Sequence, residues 1–314
     1  MKNRTSNNKP NLVIAFEAGK LNDYPFNVPQ YFSSYQDFCK LAQRYFSIFI
    51  VRGKKSYRGN GVFRTGYFFD GKKFVAYPHP IAAAIVYDKG NMDLNGGKDW
   101  SSINRAGLAK ICRSKYRTYQ VFKKDHKQTC FFDTRSECAA CLRKIRGEQI
   151  VYKPNDGFEG RGVVVGSHQF VRKHITSYKN GIVQEFMDTS AGIPGLVIST
   201  HDLRVIIMNG KPVESFFRIP PHGSLIANVA RGGRVVEIKL SQIPKSVHTI
   251  LRRVDRVFRI FGPRIYAVDL GFENGKPHLF EINHMPGLPY ASEPRYYWAF
   301  HRALLQTLRN AVQS

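Results

Sequence analysis

Two acidic residues and an amide lie in an otherwise apolar pair of predicted strands in the last quarter of this 314-residue chain. They are Asp269, Glu281 and Asn283, and the Asn-Gly step between the two strands is typical of a tight β-hairpin. Buried carboxylates are costly unless a cation lies between them. Hard oxygen ligands of this kind suit Mg²⁺, so the sequence predicts a magnesium site. Ion pairs with nearby arginines are the alternative.

The register of this hairpin decides whether the two carboxylates can share a metal ion. A two-residue loop, residues 274–275, places Asp269 opposite Phe280, so that Glu281 points to the other face of the sheet. A three-residue loop, residues 273–275, places the two carboxylates on one face as diagonal neighbours. The asparagine shares that face because it follows the glutamate by two residues. The magnesium hypothesis therefore favours the three-residue loop.

A glycine-rich segment, residues 151–165, is the second candidate for chemistry. Gly157, Gly160 and Gly162 allow backbone amides to approach a phosphate closely, and Lys153 supplies a positive charge just before the turn. Three valines follow, which favour a strand. A P-loop or a dinucleotide-binding fingerprint requires a helix at that point. The segment is therefore predicted to be a hairpin flap over phosphates, with a tight turn of no further function as the alternative.

The charge of the chain indicates an anionic partner. The sequence has 48 lysine and arginine residues against 23 aspartate and glutamate residues, a net charge of +25. Nucleotide phosphates, an acidic peptide or nucleic acid would each fit this charge. No apolar run approaches the ~18 residues that a membrane span needs. The polar N-terminus does not resemble a signal peptide, so we expect a cytoplasmic location and no membrane partner.

The five cysteines argue against a disulfide framework because their number is odd and the chain is long. Cys138 and Cys141 form a single CxxC on a predicted helix. Half a zinc site or a redox pair is the functional alternative, but the sequence has no second CxxC and no paired histidines.

The pattern of elements divides the chain into three predicted regions. Residues 1–95 form a small α/β domain, residues 96–180 a helical segment followed by the flap, and residues 181–314 a strand-rich region. The predicted strands are residues 12–16, 45–51, 81–87, 149–153, 163–165, 182–186, 203–208, 213–219, 266–272 and 277–282, with a hairpin at 64–77. The predicted helices lie around residues 36–43, 103–124, 244–260 and 297–312.

Taken in order, these motifs resemble the ATP-grasp superfamily over residues 100–290, and are most similar to glutathione synthetase and the ribosomal-protein glutamate ligases. NRAGLAKICRSKYRTYQ resembles the segment with a first nucleotide lysine, and VYKPNDGFEGRGVVV the second lysine and the phosphate flap. VQEFM resembles the hinge that contacts adenine through its backbone. DLRV, FR and IANVARGG resemble the segment with catalytic arginines and an asparagine. The hairpin acids, followed by Pro-Gly, resemble the magnesium motif.

The resemblance implies an α/β (α+β) ATP-grasp fold, with an N-terminal α/β domain and ATP between the central and C-terminal subdomains. It implies ATP and one or two Mg²⁺ ions, or Mn²⁺, as cofactors. The implied metal ligands are Asp269, Glu281 and Asn283, and the implied catalytic residues are Arg204, Arg218 and Asn228. The implied nucleotide-binding residues are Lys115, Lys153, Gly157, Phe158, Gly160, Gly162, Gln184, Glu185 and Phe186. A long stretch after the hinge leaves the ribose-binding residue open, with Asp188 as the candidate.

The function implied by the resemblance is that of a carboxylate–amine ligase. ATP phosphorylates a substrate carboxylate, and an amine then displaces phosphate from the acyl phosphate to form an amide. The partners would be small carboxylates and amines or an acidic peptide, and a homodimer is an open alternative. A small-molecule kinase of the same fold is the second hypothesis, with a stable phosphoester as product. A nucleic-acid-binding module, motivated by the charge, is the third, and its binding would not depend on Asp269.

Overall fold

The computed structural model describes residues 9–157, 160–225, 227, 232–292 and 295–313. Two compact units are present. The first contains the described residues up to Ala109, together with Phe258–Ile265 and those from Met285 onward. The second contains Lys110–Val257 and Tyr266–His284. Within the described residues, no helix combines the length and the apolar character that a membrane crossing requires.

The elements are numbered in chain order. The strands are β1 (Asn11–Phe16), β2 (Ser47–Arg52), β3 (Tyr57–Gly59), β4 (Val62–Phe63), β5 (Gly66–Phe69), β6 (Phe74–Tyr77), β7 (Ile81–Ala82), β8 (Ile85–Lys89), β9 (Ser101–Ile103), β10 (Thr129–Phe132), β11 (Ile150–Pro154), β12 (Val164–Gly166), β13 (Gly181–Glu185), β14 (Asp202–Met208), β15 (Lys211–Ile219), β16 (Arg234–Glu237), β17 (Ile265–Glu273) and β18 (Lys276–Asn283). The helices are α1 (Pro29–Ala42), α2 (Ala106–Arg113), α3 (Lys115–Val121), α4 (Arg135–Lys144), α5 (His168–His174), α6 (Lys245–Phe258) and α7 (Tyr297–Gln313).

The first unit is built on a six-stranded sheet in the order β6-β5-β2-β1-β8-β9. The strands β2, β1, β8 and β9 run parallel, and β1 is buried almost along its whole length, as expected for the centre of a parallel sheet. The predicted strand 81–87 is wrong as one element. It is two strands, because Ala83 donates its N–H to the carbonyl of Gly61, in the turn between β3 and β4 of a small second sheet, while Ala84 donates to Asn11 at the start of β1.

The second unit contains two sheets whose registered strand pairs are antiparallel. Four strands form the order β10-β13-β11-β12, and five strands form the order β16-β15-β14-β17-β18. The predicted long helix 103–124 is wrong as one element, since it is divided into α2 and α3 at Ser114. This serine has an extended backbone, and its side chain accepts a hydrogen bond from the Arg117 N–H at 3.2 Å. An N-cap of this kind begins a new helix.

One disulfide lies in the second unit, although the odd number of cysteines argues against a disulfide framework. It joins Cys130 on β10 to Cys141 on α4, which packs on that strand. The CxxC is on a helix, as predicted, but its two sulfurs are not a redox pair, since Cys138 is a free thiol in the apolar core. An odd count only excludes complete pairing. It does not exclude one bridge between neighbouring elements.

Candidate active site

The hairpin of β17 and β18 is closed by a two-residue loop. Glu273 pairs with Lys276, and the intervening Asn274 and Gly275 have φ angles of 52° and 75°. Two successive left-handed residues are typical of the two-residue turns that match the twist of a hairpin. The three-residue loop favoured from the sequence is therefore wrong.

A β-bulge nevertheless brings the two acidic residues of this hairpin together. Leu270 pairs with Leu279, but Asp269 pairs with Glu281, so that Phe280 is an extra residue in β18. An extra residue changes the face of every side chain beyond it. The two carboxylates consequently lie directly opposite each other on one face of the sheet. Asn283 follows on that face by the alternation of the strand.

The buried carboxylate of Asp269 is held by two arginines, Arg204 on the adjacent strand β14 and Arg218 on the next strand, β15. Nε and Nη2 of Arg204 donate to its Oδ1 and Oδ2 at 2.7 and 2.6 Å. Nη2 of Arg218 donates to Asp269 Oδ2 at 2.7 Å and also to Asp202 Oδ2. Arg218 lies opposite Asp202 across β14 and β15. The arginine pairing considered as an alternative from the sequence is thus present at Asp269.

The pKa values of the two aspartates in this cluster are shifted in opposite directions. Burial by itself raises the pKa of Asp269, but Arg204 and Arg218 outweigh that effect and hold it below the usual range of an aspartate. Burial raises the pKa of Asp202 above that range, although Arg218 opposes the change. Asp202 Oδ1 and Arg218 Nε are buried without a hydrogen-bond partner in the part of the chain that the structure describes. Buried polar atoms are normally paired, so the cluster has spare hydrogen-bonding capacity.

Two lysines face the same region from the four-stranded sheet and from α3. Lys153 on β11 donates to Gln184 Oε1 at 2.8 Å, and Lys115 at the start of α3 donates to the carbonyl of Gly157 in the flap. Burial lowers the pKa of Lys153 to about 8, with Glu281 opposing and Lys115 adding to the change. Burial likewise lowers the pKa of Lys115. Partly desolvated lysines of this kind are stabilised by a polyanion such as a nucleotide phosphate.

A cavity of about 1110 Å³, including its open mouth, lies among these elements in the second unit. Residues predicted from the sequence that line it are Lys115, Lys153, Gly157, Gly160, Gln184, Glu185, Phe186, Asp188, Arg218 and Glu281. The flap is a hairpin of β11 and β12, as predicted. Gly162 has a φ of 70° and packs near Pro154 beside it.

Two of the predicted residues, Phe158 and Asn228, lie outside the described residues. Arg204, Asp269 and Asn283 are on the same sheet face as Glu281 but do not line the cavity directly. Phe280, Arg161 and His201 do line it and were not predicted. The role of Asp202 was also missed, although its position two residues before Arg204 could have indicated a shared face.

The donor set of the hairpin fits a magnesium ion that is held jointly with phosphate oxygens. Asp269, Glu281 and Asn283 place hard oxygens on one face, which suits Mg²⁺, and both oxygens of Asp269 also accept hydrogen bonds from Arg204 and Arg218. Within the described residues, no three His, Cys, Asp or Glu side chains are arranged to hold a metal ion by themselves. Mg²⁺ commonly binds through one or two carboxylates together with substrate phosphates and water, so these residues would hold it once a nucleotide is present.

Comparisons with known proteins identify the fold. Residues 119–259 match the family model described as "Prokaryotic glutathione synthetase, ATP-grasp domain". The structure is similar to that of the D-alanine--D-alanine ligase of Bacillus anthracis complexed with ATP, with a TM-score of 0.60 and 11% sequence identity. The superposition covers 97% of this chain and 97% of that ligase. The protein has the ATP-grasp fold. The α/β architecture predicted from the motifs is thereby confirmed.

In two further comparisons, this ATP-grasp protein is similar to proteins named as ligases. One is a RiPP-associated ATP-grasp ligase of Chryseobacterium gregarium in complex with ADP and a leader and core peptide, with a TM-score of 0.62 and 12% sequence identity. The superposition covers 96% of this chain and 97% of that chain. A "Probable alpha-L-glutamate ligase" of Legionella pneumophila (strain Paris) is 29% identical over 195 residues. That alignment covers 60% of this chain and 60% of the relative.

Proposed function

We propose that this ATP-grasp protein is an ATP-dependent carboxylate–amine ligase. The observation that carries the proposal is the bulged hairpin, which sets Asp269 opposite Glu281 beside a cavity that also receives Lys115 and Lys153. Glu281, a carboxylate for a divalent ion, and the basic groups of Lys115 and Lys153 for phosphates thus line the same cavity. The similarity to ligases of the same fold supports the choice of reaction.

The roles of the basic residues follow from their positions. Lys115 and Lys153 would bind the nucleotide phosphates, with the flap glycines Gly157 and Gly160 offering backbone amides. Gln184 positions the Lys153 ammonium through its side-chain oxygen and is itself anchored, since its Nε2 donates to Thr129 at 2.8 Å. We propose the segment 185–188 as the binding site for the base, with Asp188 as the ribose candidate.

The arginines would act on the reacting groups. When bound, Mg²⁺-ATP supplies the phosphoryl group that activates a substrate carboxylate. Arg218 is in the cavity wall and would stabilise negative charge that develops on transferred and attacked oxygens. Arg204 keeps Asp269 ionised and would assist Arg218. Asn228 remains a predicted catalytic residue from the resemblance alone.

The substrates that we propose are amino acids or peptides. Two of the similar proteins are named as a glutamate ligase and a D-alanine--D-alanine ligase, and a third is an ATP-grasp ligase in complex with a leader and core peptide. Glutamate is the first amine to test, and the net charge of +25 makes an acidic peptide the first carboxylate. We retain as predictions the division of the chain at residues 95 and 180, the cytoplasmic location and the homodimer.

The experiment follows phosphate release from ATP with magnesium and a panel of amino acids and acidic peptides. An amide product identified by mass spectrometry together with free phosphate supports the ligase, whereas a stable phosphoester shows a kinase. Glu281→Ala should abolish turnover while the protein remains folded by circular dichroism. Glu137→Gln, an exposed acid on α4, is the matched control. Normal turnover in a folded Glu281→Ala protein would contradict the assignment of the metal-binding hairpin.

A further inference from the structure

One lysine ammonium joins two acidic side chains from the two sheets of the second unit. Lys127 Nζ lies 2.7 Å from Glu185 Oε1 and 2.6 Å from Glu273 Oε2. Glu185 is the last residue of β13 in the four-stranded sheet, and Glu273 is the last residue of β17 in the five-stranded sheet. We refer to these three residues as the Lys127 bridge.

The bridge also fixes the segment that follows β13. The second carboxylate oxygen of Glu273, Oε1, accepts a hydrogen bond from the backbone N–H of Asp188 at 2.9 Å. Residues 185–188 are therefore attached at both ends to the hairpin of β17 and β18. All four of these residues line the cavity, so the attachment determines where one wall of the cavity lies.

The lysine of the bridge is better shielded from solvent than the lysine of an ordinary surface ion pair, although the side chains of Glu185 and Glu273 are 36% and 21% exposed. The Lys127 side chain is only 13% exposed, and it is shared by two carboxylates. Burial by itself lowers the pKa of Lys127, but hydrogen bonds from its ammonium to Glu185 and Glu273 outweigh burial and raise it. The ammonium therefore stays charged at neutral pH. Charge-assisted hydrogen bonds with little solvent screening are stronger and more directional than exposed pairs.

We propose that the Lys127 bridge positions the nucleotide base: it holds residues 185–188 against the hairpin that carries Asp269 and Glu281, and so sets the gap into which the base inserts. Lys127 and Glu273 act through the hinge segment and are positioning residues. The proposal rests on the proposed nucleotide site. The bridge should affect the binding of the base of the ligand and not the binding of its phosphates, which Lys115 and Lys153 contact.

The test compares ligands that contain the base with one that does not. Isothermal titration calorimetry would give the Kd of AMP, ADP and pyrophosphate for the wild type, Lys127→Met and Glu273→Gln. We expect the Kd of AMP and ADP to rise about tenfold in each variant, equivalent to about 1.4 kcal/mol, with no change for pyrophosphate. The double variant should lose no more than either single variant, because the same contact is already broken.

Two further variants separate positioning from a general loss of structure. Lys276→Met removes an exposed lysine from the start of β18, in the same hairpin, and should leave all three Kd values unchanged. Lys127→Arg keeps the charge and the reach, and should restore most of the affinity for ADP. The melting temperature of each variant shows that the protein is folded under the conditions of the titration.

The outcomes distinguish this proposal from the proposed function. If the wild type binds ADP and both bridge variants bind it equally well, the positioning role is wrong and the nucleotide site stands. Equal weakening of ADP and pyrophosphate would also overturn it, since that indicates a loosened unit and not a displaced base wall. If the wild type binds neither AMP nor ADP, the nucleotide site is wrong and the bridge proposal falls with it.

Discussion

The affinity of the protein for ADP should fall as the pH rises above about 8. Burial lowers the pKa of Lys153 to about 8 from the ordinary lysine value of 10.5, a difference of about 3 kcal/mol between its two protonation states. Below that pH the ammonium is charged and available to phosphate, whereas above it the free protein offers a neutral amine. A bound phosphate favours the charged form, so the Kd should rise about twofold at pH 8 and about tenfold at pH 9, relative to pH 7.

Calorimetric titration with ADP in metal-free buffer, from about pH 7 to about pH 9.5, measures this dependence. Lys153→Met should bind ADP weakly and with a flatter profile. Lys173→Met removes an exposed lysine on α5 and should keep the wild-type profile. A constant Kd across the range would refute the lowered pKa. An unchanged slope in Lys153→Met would refute the assignment of that pKa to Lys153.

Three other perturbations have expected outcomes. Asp269→Asn leaves Arg204 and Arg218 without the buried carboxylate that both contact. It should lower the free energy of unfolding, measured by urea denaturation, by about 3 kcal/mol. A loss below about 1 kcal/mol would show that water replaces the carboxylate readily. Gly271→Ala would place a Cβ 2.6 Å from the Met187 sulfur and from the Phe280 ring. Because both side chains are in the cavity wall, this substitution should weaken ADP binding about tenfold. Unchanged binding by calorimetry would show that the ring moves aside. Thiol titration of the denatured, unreduced protein should count three free cysteines, and five would contradict the Cys130–Cys141 bond.

The strands that carry the site could be predicted from the sequence because their apolar flanks are long. β17 and β18 confirm the predicted strands 266–272 and 277–282, and β14 confirms 203–208. The bulge could not be predicted, since Leu279, Phe280 and Ile282 are all apolar and the alternation is compatible with either register. Glu281 lies on the predicted face, but the bulge at Phe280 places it there and not a three-residue loop.

Short elements with few buried residues were missed for a different reason. β10 has four residues, and α5 buries only Val171 among its seven. Neither gives a hydrophobic period long enough to detect. The sequence offers arginine pairing of the hairpin acids only as an alternative and does not identify Asp202 as a partner, because the pairing of Arg218 with Asp202 depends on the register of β14 and β15. Lys127 and Glu273 lie 146 positions apart, and nothing local to either residue indicates the other.

The interleaving of the two units along the chain limits how the protein can be dissected. Residues 119–259, which match the family model, end before β17 begins. A fragment cut at those positions would lose β17 and β18 from the five-stranded sheet and expose β14 as an open edge. It would also lack Asp269 and Glu281, so it could neither complete its sheet nor retain the proposed metal-binding hairpin. Unpaired edges of this kind promote aggregation, and such a fragment should precipitate instead of reporting on nucleotide binding.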